Sequence, residues 1–182
     1  FDGRRLAVGD RLVGGEGSSP AQATMGRSVP ESARAFYRKS GPLRILPGPQ
    51  LDRFVPGALD ALTSGPYRLT EQSDRMGYRL EGPSLSHRPG LKWISDGTVM
   101  GAVQIVPDGQ PILLMADCQA AGGYPKAAIV ITADLPRAAQ LLPGDFVSFQ
   151  LTTLKEAQAV WKARWDTFNQ ALPPHPSIRR QI

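Results

Sequence analysis

A β-rich single domain is what this sequence predicts, and three observations carry the prediction. The 182 residues include 19 glycines and 17 prolines, a density that favours short strands joined by turns over a helical bundle. The apolar runs are short and bounded by Asp-Gly, Pro-Gly and Pro-Asp-Gly steps. A helical period sustained over several turns occurs in one place, near the C-terminal end.

The elements follow in order. F-D-G-R-R-L-A-V-G-D-R-L-V, residues 1 to 13, reads as a strand pair with turns at Asp2-Gly3 and Gly9-Asp10. The next stretch, to about residue 40, opens with many Gly, Ser and Pro and no period, and is expected to be a flexible connection. L-R-I-L-P-G-P-Q (43–50) returns to strand, and L-D-R-F-V-P-G-A-L-D-A-L (51–62) is a short helical piece interrupted by Pro56 and Gly57. P-Y-R-L-T (66–70) and S-D-R-M-G-Y-R-L-E-G-P (73–83) supply two more strands.

K-W-I-S (92–95) leads through a turn at Asp96-Gly97 into M-G-A-V-Q-I-V (100–106), and P-D-G-Q turns the chain into P-I-L-L-M-A-D (111–117), the clearest hairpin in the sequence. K-A-A-I-V-I-T-A-D (126–134) is apolar on both faces over its middle, as a buried strand should be. Asp134 is expected to cap a short helix, L-P-R-A-A-Q-L-L, stopped by P-G-D before the strand F-V-S-F-Q-L-T-T (146–153). Thr153 to Glu156 is a capping box, and Leu154, Ala157, Trp161, Trp165, Phe168 and Leu172 then form one apolar stripe of a terminal amphipathic helix expected to pack on the β-core or on a missing part of the protein. The expected division is a β-barrel region, 1–153, with 14–40 as a connection inside it, and a C-terminal helix and tail, 154–182.

Composition excludes several classes of function. A formal charge of +5 and a pI near 9.7 are spread along the chain without a basic run or aromatic-interleaved stripe, so nucleic acid is not expected as a partner. The longest apolar run, A-A-I-V-I-T-A (127–133), is far short of the roughly 20 residues a membrane helix needs. A single cysteine, Cys118, allows no internal disulfide, and with no leader visible a cytoplasmic protein is expected. His87 and His175 are the only histidines, so no metal site is expected. Neither a nucleophile-elbow G-x-S-x-G nor a phosphate loop occurs.

Two stretches carry candidate chemistry. In S-D-R-M-G-Y-R-L-E-G-P, strand alternation sends Met76, Tyr78 and Leu80 to the core and Arg75, Gly77, Arg79 and Glu81 to the other face. The two guanidinium groups flank the gap at Gly77, where an anion would fit; the residues by themselves favour an exposed strand face broken by glycine. In D-C-Q-A-A-G-G-Y-P (117–125), Gly122 and Gly123 would let backbone N–H groups converge on an oxyanion, with Gln119 and Tyr124 adding side-chain donors; a plain turn is the alternative. Gln104, in an otherwise apolar strand, needs polar partners if it points inward.

In order, R-M-G-Y-R-L, S-D-G (95–97), G-A-V-Q-I-V-P-D-G-Q-P-I (101–112), A-D-C-Q-A-A-G-G-Y-P (116–125) and A-D-L with P-G-D (133–145) resemble the biotin-dependent carboxyltransferase family that includes allophanate hydrolase subunit 2, the C-subunit of 5-oxoprolinase and the KipA proteins. The resemblance runs from Phe1 to about residue 157 and is to the C-terminal portion of longer members. It implies a cyclophilin-like β-barrel, a heteromeric partner like allophanate hydrolase subunit 1 (KipI-like), and the missing N-terminal portion as a further partner. It also implies a small amide or lactam substrate, with ATP or carboxybiotin supplied through partner subunits and no cofactor bound by this chain. The expected function is a subunit of an ATP-dependent 5-oxoprolinase-type complex; the alternatives are a urea carboxylase component and a non-catalytic, KipA-like antagonist of a kinase inhibitor.

Residue by residue, the resemblance points to Arg75, Tyr78, Arg79, Gln104, Gln119, Gly122, Gly123 and Tyr124 as substrate-binding positions. Arg75 or Arg79 would hold an anion, Gly122 and Gly123 would form a backbone cradle, and Gln104, Gln119 and Tyr124 would orient the ligand. The sequence departs from the family at Asp74, commonly Asn, and at Ala120 and Ala121, commonly threonines.

Overall fold

The structure, a computed structural model, describes residues 6–13, 28–38, 40–90, 92 and 94–171. It is mostly strand. Eight strands make one sheet: β1 (Leu43–Pro47), β2 (Tyr67–Leu69), β3 (Gly77–Glu81), β5 (Ala102–Ile105), β6 (Pro111–Leu114), β8 (Lys126–Val130), β9 (Phe146–Val147) and β10 (Phe149–Leu151), while β4 (Asp96–Gly97) and β7 (Ala121–Gly122) pair as a separate ribbon. The helices are α1 (Glu31–Arg34), α2 (Ala58–Thr63), α3 (Leu135–Ala138) and α4 (Leu154–Ala171).

The sheet runs in the order β10-β1-β8-β5-β6-β3-β2-β9. Its two end strands are consecutive in the chain, separated by Ser148 alone. Phe146 and Val147 pair antiparallel with β2, and Phe149 to Leu151 pair parallel with β1. One stretch of backbone therefore stitches both edges, and the sheet becomes a nearly closed barrel with no long open edge. The interior is filled by alternate residues of facing strands, among them Leu43, Ile45, Leu80, Val103, Ile105, Leu113 and Val130, with Phe54 and Leu62 from the 51–63 segment and Tyr67 against Phe149 at 5.6 Å between ring centres.

The hairpin at 107–110 forms as its residues dictate. Gly109 takes φ +86°, its N–H donates to the Val106 carbonyl at 2.9 Å, and the Asp108 carboxylate accepts the N–H of Gln110 at 2.9 Å. A side chain at Gly109 would also meet the Leu85 carbonyl at 2.7 Å, so this corner packs closely on the next loop. The capping box forms in full: Glu156 accepts the Thr153 N–H at 2.9 Å, and the Thr153 hydroxyl accepts the Glu156 N–H at 3.2 Å.

Several expectations need correction. The strand pair over 1–13 is not seen at 6–13, which make a tight turn, with the Asp10 N–H on the Ala7 carbonyl and the Asp10 carboxylate on the Ala7 N–H; residues 1–5 and the glycine-rich stretch 14–27 lie outside the described residues. Residues 31–37, expected within a flexible connection, form α1 and a further 3-10 turn. Glu31 pairs with Arg34 and Arg38, and Phe36 and Tyr37 pack on Phe168 of α4, so tertiary contact supplies the order that local composition does not. Asp96-Gly97 is a strand of the ribbon and not a turn, because it finds Ala121–Gly122 as a partner.

Asp134 stands at the N-cap of α3, yet its side chain makes no cap hydrogen bond. Arg44 takes that carboxylate instead, through its own backbone N–H and two guanidinium bonds at 2.6 to 2.9 Å, and Arg137 adds a 3.4 Å ion pair. The apolar stripe of α4 is only partly covered. Phe168 packs on Phe36 and Tyr37, while Leu154, Trp161 and Trp165 stay 42 to 60% exposed, and Leu172 and His175 lie outside the described residues.

Candidate functional site

Strand register decides which side chains meet. Gly77 pairs with Leu114, Tyr78 with Leu113 and Arg79 with Ile112; on the other side of β6, Gln104 pairs with Ile112 and Val103 with Leu113. Paired residues project to the same face. Tyr78, Leu113 and Val103 thus share the core face, while Gly77, Arg79, Ile112, Leu114 and Gln104 share the opposite one. That second face floors a hollow of about 250 Å³. Gln72, Asp74 and Met76 wall it on one side, and Gln119 and Tyr124 on the other.

Gly77 is needed at this floor. A Cβ there would meet Ile112 Cγ2 at 2.8 Å, so any side chain would displace the isoleucine or fill the hollow. Asp74 shapes the entry to β3: its Oδ1 accepts the N–H groups of Met76 at 2.8 Å and Gly77 at 3.1 Å. An asparagine oxygen would serve that turn equally, so the departure from Asn at this position changes the charge of the hollow and not its outline. Arg79 forms no ion pair among the described residues; its backbone alone is tied, with its N–H on the Ser73 hydroxyl at 3.0 Å. Its guanidinium is the one cation among the described residues that line the hollow.

The far wall depends on Gln104, which is 1% exposed and donates from Nε2 to the Tyr124 carbonyl at 2.8 Å. Gln119 leads into the ribbon, where its carbonyl accepts the Thr98 hydroxyl and the Ala120 carbonyl accepts the Thr98 N–H at 3.0 Å. Gly122 sits between the two glutamines: a Cβ on it would lie 3.0 Å from Gln119 Nε2 and 3.1 Å from Gln104 Nε2. A β-carbon here would push the two amide ends back by a few tenths of an ångström. The donors suit a small molecule rich in carbonyl or carboxylate oxygen, with Asp74 as the acceptor side.

The structure therefore brings Arg79, Gln104, Gln119 and Tyr124 around one hollow, with Gly122 at its back. It does not bring the others. Arg75 points away and pairs with Asp117 at 2.9 Å, its side chain 81% exposed. Tyr78 packs against the core. Gly123 borders a separate small niche with Gln50, Arg53 and Lys92. Neither Gly122 nor Gly123 takes a positive φ, so the alternation of right- and left-handed backbone that makes an N–H concavity does not form there. Met76, expected in the core, is 49% exposed and lines the hollow, because the regular strand begins only at Gly77.

Gln72, Ile112 and Leu114 complete the hollow without having been singled out in the sequence. For Ile112 and Leu114 the signal was available, since the same alternation that places Arg79 also places its cross-strand neighbours. Gln72 lies in a turn and offered none. Among the described residues no group of His, Cys, Asp and Glu is arranged to hold a metal ion, and no helix is long and apolar enough to cross a membrane.

Both the sequence and the fold have relatives among known proteins. A family model described as carboxyltransferase domain, subdomain A and B, matches residues 1–151. The chain is 38% identical over 170 residues to the C-subunit of 5-oxoprolinase from Escherichia coli, covering 91% of this chain and 50% of that protein. It is 41% identical over 115 residues to the same-named protein of Haemophilus influenzae, covering 63% and 37%. A putative urea carboxylase of Emericella nidulans is 26% identical over 168 residues, covering 86% of this chain and 13% of that one. Among solved structures, the urea amidolyase of Kluyveromyces lactis shares the fold with a TM-score of 0.66 at 21% identity, covering 80% and 9%. A protein designated TTHA0988 matches with a TM-score of 0.51 at 38% identity, covering 70% and 22%. The chain spans half the length of the Escherichia coli relative, or less for the others.

Proposed function

This chain belongs to the carboxyltransferase-domain family of subdomains A and B, and from that premise we propose that it is part of a 5-oxoprolinase-type subunit whose hollow binds 5-oxoproline. The two relatives named as C-subunits of 5-oxoprolinase support the reading. The observation that carries it is Arg79, a guanidinium with no ion pair among the described residues, facing the same hollow as Gln104 and Gln119. A lactam acid presents a carboxylate for the guanidinium and a lactam carbonyl for the glutamine amides, while its ring N–H can donate to Asp74. Urea has no carboxylate and would leave Arg79 without a counter-charge. A charge-assisted pair of this kind is worth roughly 1.5–3 kcal/mol, which is enough to separate the two ligands.

In the overall reaction water adds across the lactam C–N bond. The carbonyl carbon keeps the new oxygen as the side-chain carboxylate of glutamate, and the nitrogen leaves as its amine. The role assigned to this chain is binding and orientation: Arg79 anchors the carboxylate and the two amides polarise the lactam oxygen, so that charge develops against fixed donors. ATP, or carboxybiotin in a urea carboxylase, would arrive through partner subunits.

The test uses the full-length protein combined with its partner subunits. Stimulation of ATP hydrolysis by 5-oxoproline, with glutamate as product, is the expected result. Stimulation by urea and bicarbonate instead would transfer the hollow to the carboxylase reading. A stable complex that turns over neither substrate would make the chain a binding module of the KipA kind.

A further inference from the structure

Lys126 is a buried cation that the proposed binding chemistry does not use. Its side chain is 4% exposed, yet it sits at the start of a barrel strand, where water is normally within reach of an ammonium group. Its position comes from an irregularity in the sheet. Val103 pairs with Ala128, but the next residue, Gln104, pairs with Lys126, so Ala127 is one residue in excess on β8. Such a bulge re-aims the neighbouring side chain. Here it places Lys126 directly opposite Gln104, on the face that bears the hollow.

From that face Lys126 reaches outward to the ribbon. Its Nζ donates to Asp96 Oδ2 at 2.8 Å and to the Gly97 carbonyl at 2.9 Å, both on β4. β4 in turn pairs with β7, Asp96 against Gly122 and Gly97 against Ala121, and Thr98 just beyond holds the carbonyls of Gln119 and Ala120. The ribbon has only two residues per strand, too short to be stable by its own pairing. We propose that Lys126 is a positioning residue that clamps this ribbon to the barrel wall and so holds the Gln119 amide beside that of Gln104. It acts on the ligand through Gln119 and touches no reacting atom. The inference rests on the hollow being the binding site.

The test compares Lys126→Met, which keeps the aliphatic stem, Lys126→Arg and Asp96→Asn in the full-length subunit. Two readouts need no substrate: backbone hydrogen exchange, and the NMR signal of the Gln119 side-chain amide. Expected for Lys126→Met is exchange about tenfold faster or more at 96–98 and 119–122, unchanged exchange in β5 and β6, and a Gln119 signal shifted toward that of a free glutamine. Lys126→Arg should recover part of both, and Asp96→Asn should match Lys126→Met. With partner subunits present, kcat/KM for 5-oxoproline should fall about tenfold in Lys126→Met, with kcat lowered as well as KM raised, because Gln119 faces the charge that develops on the lactam oxygen. Unaltered ribbon exchange, or loosening of the whole barrel together with the ribbon, would overturn the proposal. So would a loosened ribbon with an unmoved Gln119 signal. If the wild-type complex ignores 5-oxoproline, the proposed function falls while the exchange and NMR readouts still decide the clamp.

Discussion

Gln104 and Gln119 converge on one another across Gly122, their side-chain nitrogens 3.1 and 3.0 Å from where a β-carbon on that glycine would stand. One glutamine belongs to a barrel strand and the other to the approach to a two-residue ribbon, so their meeting is a tertiary event. Gly122→Ala inserts a methyl group between two flexible amide ends and not into backbone. The expected outcome is a folded protein with near-normal thermal stability and ligand affinity lowered several-fold, read by calorimetric titration of 5-oxoproline into the assembled complex.

Arg79 and Arg75 separate the hollow from the surface. Arg79→Ala should weaken binding of a carboxylate ligand about ten- to a hundredfold, the equivalent of losing one charge-assisted pair. Arg75→Ala breaks an exposed bridge to Asp117 and should change stability by about 1 kcal/mol or less, with binding unaffected. Equal effects of the two substitutions on affinity would remove the assignment of Arg79.

The Asp134 cluster governs stability and not the site. Its carboxylate is 1% exposed and serves both Arg44 and Arg137, and the pairing holds Arg44 above its ordinary range. Asp134→Ala leaves the Arg44 guanidinium and backbone N–H without their acceptor, while Arg137 keeps the Gly41 and Pro42 carbonyls; with Arg44 30% exposed the cost is roughly 3 kcal/mol, the low end for a broken buried pair. Urea denaturation should show that loss, whereas Asp134→Asn, which keeps an acceptor oxygen, should lose less.

Three groups predict a pH dependence. The hydrogen bond from Lys126, then the N–H of Gly97, hold Asp96 below its ordinary value. The Thr153 N–H and the hydroxyls of Thr152 and Thr153 do the same for Glu156. In both the folded value lies below the unfolded one, so the stabilisation is present above the ordinary carboxylate range and is lost as pH falls through the lowered value. Acid titration should loosen the ribbon and fray the start of α4 before the barrel unfolds, seen as early loss of exchange protection at 96–98 and 153–157.

Tyr67 has the opposite sign. Burial pushes its phenol up to about 12, above the unfolded value, so stability is intact below the ordinary tyrosine range and declines as pH rises through the folded value. Ultraviolet absorbance of tyrosinate should show Tyr67 ionising together with alkaline unfolding. Tyr67→Phe removes the hydroxyl that donates to the Pro83 carbonyl at 2.8 Å and should abolish that late step.

Much of the architecture was legible from local pattern. The hairpin around Asp108-Gly109, the strands at 43–47, 77–81 and 126–130 and the capping box at Thr153 to Glu156 all follow from periodicity and turn chemistry, which act over a few residues. The alternation of 77–81 correctly put Arg79 on the face away from the core, with Tyr78 and Leu80 behind it. Met76 broke that alternation because it precedes the regular strand, and the helical segment 31–37 escaped notice because its Phe36 and Tyr37 pack on Phe168, far along the chain.

Residue order by itself determined where strands begin and turn, which family the chain resembles, and that glutamines and an arginine were available for binding, because each of these is written in short-range pattern. Only the folded chain decided that Arg79 and not Arg75 enters the hollow, that Ser148 joins the two edges of the barrel, and that a bulge at Ala127 aims Lys126 at Asp96. Those outcomes depend on strand register and on pairings between distant segments, and register is set by the fit of a whole sheet around its core.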